Sequence, residues 1–274
     1  LVGSEMCIRD RYNNTQLFQL NPLSYSFVRA SLIFSHLPIK NLGLGSNEIF
    51  LTPYSYGLAF RRTLERINLS GNNLRKFGGF AAMFPYNAFP RMENLTTLVL
   101  QHCHIDDIHT DALSTLQNLK HLDLRRNNLQ SLYIGILVST LETLDLSYQC
   151  IKQDCVDHDF IFPNNYFQEH NMTVMQALKM SGLHIKELDY KKFVGLKNLQ
   201  ILDLDHSYVK TLHNSAFANL TNLRQLNLSN NSNLESMPNF VFDGLSSLEV
   251  LDICLLYTSP SPRDATLSRM PSSA

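Results

Sequence analysis

The sequence lacks the features that would indicate several common functions. Lys and Arg total 23 against 24 Asp and Glu, and the formal net charge is −1, so no basic excess indicates a nucleic-acid footprint or a polybasic membrane surface. No GxSxG or GxxxxGKS/T motif occurs, and Gly43 and Gly45 lack the third glycine of a dinucleotide fingerprint. We therefore expect no catalytic residue, no cofactor and no enzymatic activity.

Long apolar runs and cysteines are also scarce. No stretch of about 20 apolar residues could span a membrane, and no apolar signal segment is present. Because both ends are interpreted below as cut, neither absence argues against a secreted or membrane-anchored parent protein. Cys150 and Cys155 lie near His158, but this histidine is alone and no second ligand pair has suitable spacing, so we expect no metal site.

The two ends of the chain are related as antisense DNA. Residues 2–10 (VGSEMCIRD) can be encoded by DNA whose reverse complement, shifted by one base, encodes residues 254–262 (CLLYTSPSP). This DNA resembles a transposase-inserted sequencing adapter. We therefore interpret residues 1–11 and 254–274 as translated adapter, and expect them to lie outside the packed structure. The alternative is a pair of polar, disordered tails.

One motif recurs through residues 39–253, after a divergent N-terminal part at residues 12–38. The pattern LxxLxLxx(N/C)xL starts at Ile39, Leu64, Leu95, Leu119, Leu141, Met175, Leu199 and Leu223, and a ninth, incomplete copy starts at Leu248. Successive starts are 25, 31, 24, 22, 34, 24, 24 and 25 residues apart, so only two spacings depart far from 24. The pattern is the signature of leucine-rich repeats.

The repeat predicts an α/β leucine-rich-repeat solenoid, a horseshoe with a parallel β-sheet on its concave face. In each copy two apolar residues, such as Leu122 and Leu124, alternate with outward residues such as Asp123, as on a strand. One repeat cannot bury this face alone, so neighbouring strands must stack in parallel. A second apolar column is expected on the convex side, formed by Phe89/Met92, Leu113/Leu116, Phe193/Leu196, Phe217/Leu220 and Phe242/Leu245.

A polar position follows each strand, where the chain turns. A side-chain amide there can satisfy backbone groups that the turn would otherwise bury unpaired. The predicted members of this ladder are Asn47, Asn72, Cys103, Asn127 and Asn231. Cys103 is an accepted variant at this position, so we interpret it as a small buried residue, with a reactive thiol as the alternative.

The phenylalanine-containing repeat of about 24 residues resembles the typical repeat of animal extracellular proteins, and it lacks the LxGxIP element of plant receptor kinases. The two over-long repeats resemble the irregular horseshoes of Toll-like receptor ectodomains. This resemblance implies a glycoprotein fragment, secreted or on the extracellular face of a membrane, that recognises a protein or other macromolecule in innate immune signal transduction. A receptor dimer is a further expectation. The alternatives are a secreted or surface adhesion or matrix protein, and an intracellular scaffold.

Two kinds of covalent feature fit an extracellular compartment. Cys150 and Cys155 enclose a short loop, which predicts a disulfide in an oxidising environment, with two free thiols as the alternative. N-x-S/T sequons exceed the roughly three that composition would give, although the repeat itself generates such tripeptides. The candidate glycosylation sites are Asn13, Asn68, Asn94, Asn171, Asn219, Asn227 and Asn230.

Two groups of residues are candidates for ligand binding. The first points outward from the strands and comprises Asp123, Arg125, Asp145, Lys179, Asp203 and Asp205. Its carboxylate column could bind a basic partner or a cation, or simply form a solvated face. The second lies in the insertion at residues 152–174 and comprises Phe160, Phe162, Tyr166 and Phe167. These aromatic side chains could anchor a partner, or cover the convex core.

The interpretation of the ends as adapter predicts a clear result at the DNA level. Amplification of the genomic locus should give the coding sequence for residues 12–253 with different sequence replacing residues 1–11 and 254–274. Genomic DNA that encodes either end contiguously with the repeats would refute the interpretation.

Overall fold

A computed structural model describes the backbone of residues 5–7 and 83–84 and, with their side chains, residues 38–46, 62–74, 89, 91–109, 111–132, 138–149 and 159–256. Ten short strands form one sheet, namely β1 (Glu5–Cys7), β2 (Asn41–Gly43), β3 (Arg66–Asn68), β5 (Thr97–Val99), β7 (His121–Asp123), β8 (Thr143–Asp145), β9 (Ala177–Lys179), β11 (Ile201–Asp203), β13 (Gln225–Asn227) and β14 (Val250–Asp252). They lie side by side in this order, which is the order of the chain, and every neighbouring pair is parallel.

The parallel sheet confirms the predicted solenoid. All strands of this sheet except β1 coincide with the nine copies of the motif. Equivalent motif positions pair across neighbouring strands, as in Leu122↔Leu144. The apolar residues expected to face inward are buried, namely Ile67, Leu69, Leu122, Leu124, Leu202 and Leu204. Leu251 of β14 is 39% exposed, whereas Leu226 of β13 is 1% exposed, because among the described strands β14 has a neighbour on one side only.

Two short pieces of the chain ends are packed against the repeats. Strand β1 (Glu5–Cys7) pairs in parallel with β2, and Leu256 is buried in the core. The expectation that residues 1–11 and 254–274 lie outside the packed structure is wrong for these pieces. The last strand of a sheet has unpaired N–H and C=O groups, which can pair with an extended segment of almost any sequence. This backbone pairing is therefore compatible with an adapter origin of residues 1–11.

The convex side is built mainly from turns. It includes two short parallel sheets, β4 (Met83–Phe84) with β6 (Asp107–Ile108) and β10 (Glu187–Leu188) with β12 (Thr211–Leu212). In the described residues its one helix is the four-residue α1 (Tyr166–Glu169).

The predicted second apolar column lies beneath these turns. Its ring centroids follow one another at 5.6 Å from Phe162 to Phe193, 5.8 Å from Phe193 to Phe217 and 6.4 Å from Phe217 to Phe242. Phe193 and Phe217 are fully buried, whereas Phe242, near the last strand of the sheet, is partly buried. Gly195 has a φ of 101°, and an added Cβ would lie 2.7 Å from the backbone nitrogen of Gln168, so only glycine fits there.

A ladder of buried polar side chains joins consecutive repeats behind the sheet. Asn127 is 0% exposed. Its Nδ2 donates to the carbonyls of Leu100 and Leu124, both at 2.8 Å, and its Oδ1 accepts the N–H groups of Cys103 at 2.9 Å and Ile105 at 3.1 Å. One amide thus satisfies four buried backbone groups that the turn leaves without a regular partner.

The same position makes equivalent bonds in other repeats. Asn72 and Asn231 each donate to the carbonyl of their own strand end and to that of the preceding repeat, at 2.6–2.9 Å. Gln149 donates to Leu124 and Leu146 in the same way, and Ser207 donates to Met180 at 2.8 Å. The signature did not predict Gln149 or Ser207, because it specifies Asn or Cys. Asn47 lies outside the described residues.

Cys103 is the sulfur-containing member of this ladder. Its Sγ lies 3.3 Å from the carbonyl of Leu69 in the preceding repeat. Burial raises the pKa of the Cys103 thiol to about 12, although hydrogen bonds to the backbone of Asn72 and Gly71 act in the opposite direction. The thiol is therefore protonated at neutral pH, which supports its interpretation as a packing residue and argues against a reactive nucleophile.

A second, exposed asparagine ladder runs along the side where the chain enters the strands. In four repeats the residue before the first strand leucine donates from its side-chain amide to a backbone carbonyl of the preceding repeat. The bonds are Asn94 to Arg62 at 2.6 Å, Asn118 to Glu93 at 2.6 Å, Asn198 to Thr173 at 2.7 Å and Asn222 to Lys197 at 2.8 Å. The repeats are therefore tied together on both sides of the core.

The same Asn→Ala substitution should lower the free energy of unfolding by different amounts in the two ladders. Asn127→Ala leaves buried backbone groups unpaired, and each such group costs about 1–3 kcal/mol, so we expect a loss of about 2–5 kcal/mol in the free energy of unfolding. Asn118→Ala exposes its carbonyl partner to water and should cost less than about 1 kcal/mol. Urea denaturation of both variants measures this difference, and equal losses would contradict the assigned role of the buried ladder.

Candidate recognition surface

Three faces of the solenoid are available to a partner. The concave face carries the outward residues of the strands. The side where the chain enters the strands, marked by Asn94, Asn118, Asn198 and Asn222, is called the entry edge here. The side where the chain leaves the strands, marked by His184, Lys186, Tyr208 and Lys210, is called the exit edge.

The acidic column on the concave face has a structural cause. At the third position of each of six strands an Asp or Asn Oδ1 accepts the backbone N–H two residues later. The acceptors are Asn68, Asp123, Asp145, Asp203, Asn227 and Asp252, at 2.9–3.2 Å. Such Asx turns close the strand end and favour Asp or Asn whatever the ligand. The recurrence of Asp here is therefore no evidence of a partner.

Arg125 neutralises part of this column. Its Nη2 lies 2.7 Å from Asp123 Oδ2, and its Nε lies 3.4 Å from Asp145 Oδ2. The hydrogen bond to Asp123 raises the pKa of Arg125, and burial raises the pKa of Asp145 against the opposing hydrogen bonds from Ser147. Because one guanidinium bridges two carboxylates, the predicted stretch of negative charge is interrupted at Arg125.

The remaining strand candidates continue the mixed charge pattern. Lys179 lies in register between Asp145 and Asp203, so the charges alternate across β8, β9 and β11. Asp203 accepts the backbone N–H of Asp205 in its Asx turn. The structure thus places Asp123, Arg125, Asp145, Lys179 and Asp203 on one continuous face, as predicted from the register.

Asp205 is held by three hydrogen bonds at the end of β11. Its carboxylate accepts Ser229 Oγ at 2.9 Å and Asn230 Nδ2 at 2.9 Å, and lies 2.7 Å from His206 Nδ1. Burial opposes ionisation, but the hydrogen bonds from Asn230, His206 and Ser229 together outweigh it and lower the pKa of Asp205. Its charge is therefore largely engaged within the protein.

Two exposed tyrosines lie on the exit side of the sheet, where sequence analysis predicted no site. Tyr148 is 45% exposed and lies over Gly182, whose lack of a side chain makes room for the ring. Tyr208 is 48% exposed and stacks on His184, with ring centroids 4.2 Å apart and an angle of 13° between the planes. An aromatic residue two or four positions after the second inward leucine of a repeat, Leu146 for Tyr148 and Leu204 for Tyr208, is the signal that would have found them.

A groove of about 410 Å³ lies beside this stacked pair. It is lined by Asp159, His184, Lys186, Tyr208, Lys210, Asn233 and Glu235. Lys210 Nζ lies 3.4 Å from Glu235 Oε1, but both side chains are more than half exposed, so this pair adds little stability. Small-molecule pockets are lined predominantly by hydrophobic side chains, whereas each of the seven residues that line this groove carries a polar or charged group, and the groove therefore fits contact with a macromolecular surface better.

The aromatic residues of the insertion do not form part of this surface. Phe160, Phe162, Tyr166 and Phe167 are all at most 7% exposed, and Phe167 packs against Phe162 with ring centroids 5.9 Å apart. The hypothesis that they anchor a partner is therefore wrong, and the alternative that they cover the convex core is correct. The sequence could not show this, because residue spacing does not reveal that helix α1 packs against the apolar column.

The remaining predicted sites are distributed over different faces. Cys150, Cys155 and Asn13 lie outside the described residues. The described residues bring together no group of three or more His, Cys, Asp or Glu side chains that could hold a metal ion. In the same part of the chain, no helix has the length and apolar character to cross a membrane. The described sequon asparagines lie on the concave face (Asn68, Asn227), towards the exit edge (Asn230) and towards the entry edge (Asn94, Asn171, Asn219).

Comparisons with known proteins agree with this geometry. The family model described as "Leucine rich repeat" matches residues 93–151 and 173–232, and a second repeat model matches residues 222–243. Toll-like receptor 3 of Bos taurus is 28% identical over 229 residues, which cover 82% of this chain and 22% of that receptor. Tsukushi of Gallus gallus is 27% identical over 245 residues, which cover 82% of this chain and 62% of that protein.

A solved structure has a similar fold. The TLR13–ssRNA13 complex matches with a TM-score of 0.64 at 28% identity, over 78% of this chain and 28% of that receptor chain. The chain contains leucine-rich repeats and has their solenoid fold, and its repeats resemble those of Toll-like receptor ectodomains. It spans about a fifth of the Toll-like receptor that it matches and about three fifths of Tsukushi.

Proposed function

We propose that this chain is a recognition segment of a Toll-like-type innate immune receptor ectodomain. It binds a protein or other macromolecular ligand through the concave face and the exit edge. The observation that carries the proposal is the row of exposed side chains Lys186, Tyr208 and Lys210 along the exit edge, with Tyr208 stacked on the half-buried His184 beside the groove. The similarity to Toll-like receptor 3 and to TLR13 supports the receptor class.

The energetics favour the exit edge over the acidic column. Tyrosine supplies a large contact area with few rotatable bonds, and it is enriched among the residues that dominate binding energy. Tyr208 is supported from below by His184, so less conformational freedom is lost when a partner orders it. Asp123, Asp145 and Asp205 already have partners within the protein, so a ligand would have to compete for them.

A matrix or adhesion protein is the second candidate, since the chain covers 62% of Tsukushi. Both candidates are extracellular and use the same kind of surface. A transcript that continues beyond the repeats into a membrane span and a cytoplasmic signalling domain would support the receptor, and a secreted transcript without them would support the matrix protein.

Mutation of the exit edge tests the proposal. The chain is secreted from cultured cells and used to select binders from a displayed library of animal extracellular proteins. Tyr208→Ala and Lys210→Glu should each weaken a selected binder by about tenfold or more, the equivalent of about 1.4 kcal/mol. Surface plasmon resonance measures the dissociation constants.

The matched control is Lys197→Glu on the opposite side of the solenoid. Lys197 is exposed and precedes the first leucine of its repeat, so the same charge reversal there should leave binding within about twofold. Failure to select any binder, or equal losses for Lys197→Glu and Lys210→Glu, would contradict recognition at the exit edge.

A further inference from the structure

The turn after strand β9 differs from the Asx turns that close six other strands of the sheet. In those turns an Asp or Asn at the end of the strand accepts the backbone N–H two residues later, as Asp145, Asp203 and Asn227 do. Strand β9 ends in Lys179, whose ammonium group can donate but not accept. The sixth repeat therefore lacks the side-chain oxygen that closes the turn in the repeats on either side of it.

Ser181 is the residue that loses this acceptor. It is 4% exposed, and among the described residues neither its backbone N–H nor its hydroxyl has a hydrogen-bond partner. In the eighth repeat the equivalent Ser229 donates both groups to Asn227 Oδ1, at 3.0 Å and 2.7 Å. Because a buried donor without an acceptor destabilises the fold, the two donors of Ser181 need an oxygen atom that no described residue supplies.

Ser181 lies on the concave side of the sheet. Residues 179 and 181 alternate with the buried Leu178 and Met180, so both are outward positions. Lys179 is exposed and forms no ion pair with a described residue, so its flexible side chain can move aside when a partner approaches. The exposed ring of Tyr148 lies over the adjacent Gly182 and borders the site. A partner can therefore reach Ser181 while it packs against this ring.

The charges around the site favour an uncharged acceptor. Lys179 lies in register between Asp145 and Asp203, and neighbouring strands are about 4.8 Å apart. A carboxylate or phosphate at Ser181 would be repelled by both aspartates, and the single ammonium of Lys179 cannot neutralise all three anions. Arg125 contacts Asp145 from the opposite side and leaves Asp203 uncompensated. A carbonyl oxygen accepts two hydrogen bonds through its two lone pairs without this repulsion.

We propose that the two donors of Ser181 bind a carbonyl oxygen of a protein partner, either a peptide carbonyl or the side-chain carbonyl of Asn or Gln. This oxygen takes the place that Asn227 Oδ1 occupies beside Ser229. The proposal rests on the proposed function, because it assumes that a partner contacts the concave face. It goes further in naming the chemistry of that contact, which is uncharged and belongs to a protein.

Two substitutions of Lys179 test the site without any ligand. Lys179→Asn supplies the missing oxygen and should close the turn as Asn227 does, so its urea denaturation midpoint should exceed that of the unmodified chain. Lys179→Gln removes the same charge, but its side chain is one methylene longer and does not form an Asx turn, so its midpoint should be lower than that of Lys179→Asn. Equal midpoints for the two variants would show that Ser181 already has an acceptor, and would overturn the proposal.

Peptide selection tests what the site binds. A phage-displayed library of short random peptides is selected on the secreted chain and depleted on the Lys179→Asn variant, in which the site is filled. The enriched peptides should bind Lys179→Asn about tenfold or more weakly than Lys179→Gln, as measured by surface plasmon resonance. Replacement of each Asn or Gln of the peptide by Ala distinguishes a side-chain acceptor, which is lost, from a peptide carbonyl, which is retained.

The other occupants of the site give different results. Failure to enrich any peptide, or equal affinities for the two Lys179 variants, would mean that water occupies the donors and would overturn the proposal. Peptides that depend on Asp or Glu, or single-stranded RNA that binds the unmodified chain and not Lys179→Asn, would identify an anionic ligand and overturn it equally. Tyr208→Ala is measured in parallel, so that a failure of recognition at the exit edge is seen separately from a failure at Ser181.

Discussion

The fold depends on satisfying the backbone groups that each strand leaves unpaired as the chain turns away from the sheet. Burial of these groups is unavoidable, because the leucines before the turn and the apolar residue after it both enter the core. A side-chain amide at one position, as in Asn127, meets this requirement for two repeats at once. Where Asn is missing, Gln149 and Ser207 supply equivalent bonds. The repeats can vary elsewhere, provided that this connection and the parallel register are kept.

Much of the fold could be predicted from the sequence, because the repeat period fixes both strand register and burial. The strands, the inward leucines and the convex phenylalanine column follow from the spacing of apolar residues alone. The long repeat is the exception. Its Phe167 joins the convex column through helix α1, at a position that the regular offsets do not reach. An insertion changes the path of the chain, and a one-dimensional spacing rule cannot follow that path.

The candidate surface was harder to predict, because residue type alone does not show whether a charge is already paired. Asp123, Asp145 and Asp203 were placed correctly on the concave face, but their role in Asx turns and the bridge made by Arg125 depend on local geometry. The stacking of Tyr208 on His184 joins two consecutive repeats, and no short motif records it. The solenoid therefore has two unlike sides. The entry edge carries the exposed asparagine ladder, and the exit edge carries the aromatic pair and the groove.

Amide hydrogen exchange, resolved by residue, tests most directly whether the repeats form one continuous stack. In the structure each strand end donates to the next repeat, as Leu100 does to Asp123, Leu124 to Asp145 and Leu204 to Asn227. These amides, and their equivalents from β3 to β13, should exchange slowly and to a similar extent, because opening any one of them requires separation of stacked repeats. Protection confined to two or three neighbouring repeats, with the other strands exchanging at the rate of an unfolded chain, would contradict a single stacked solenoid.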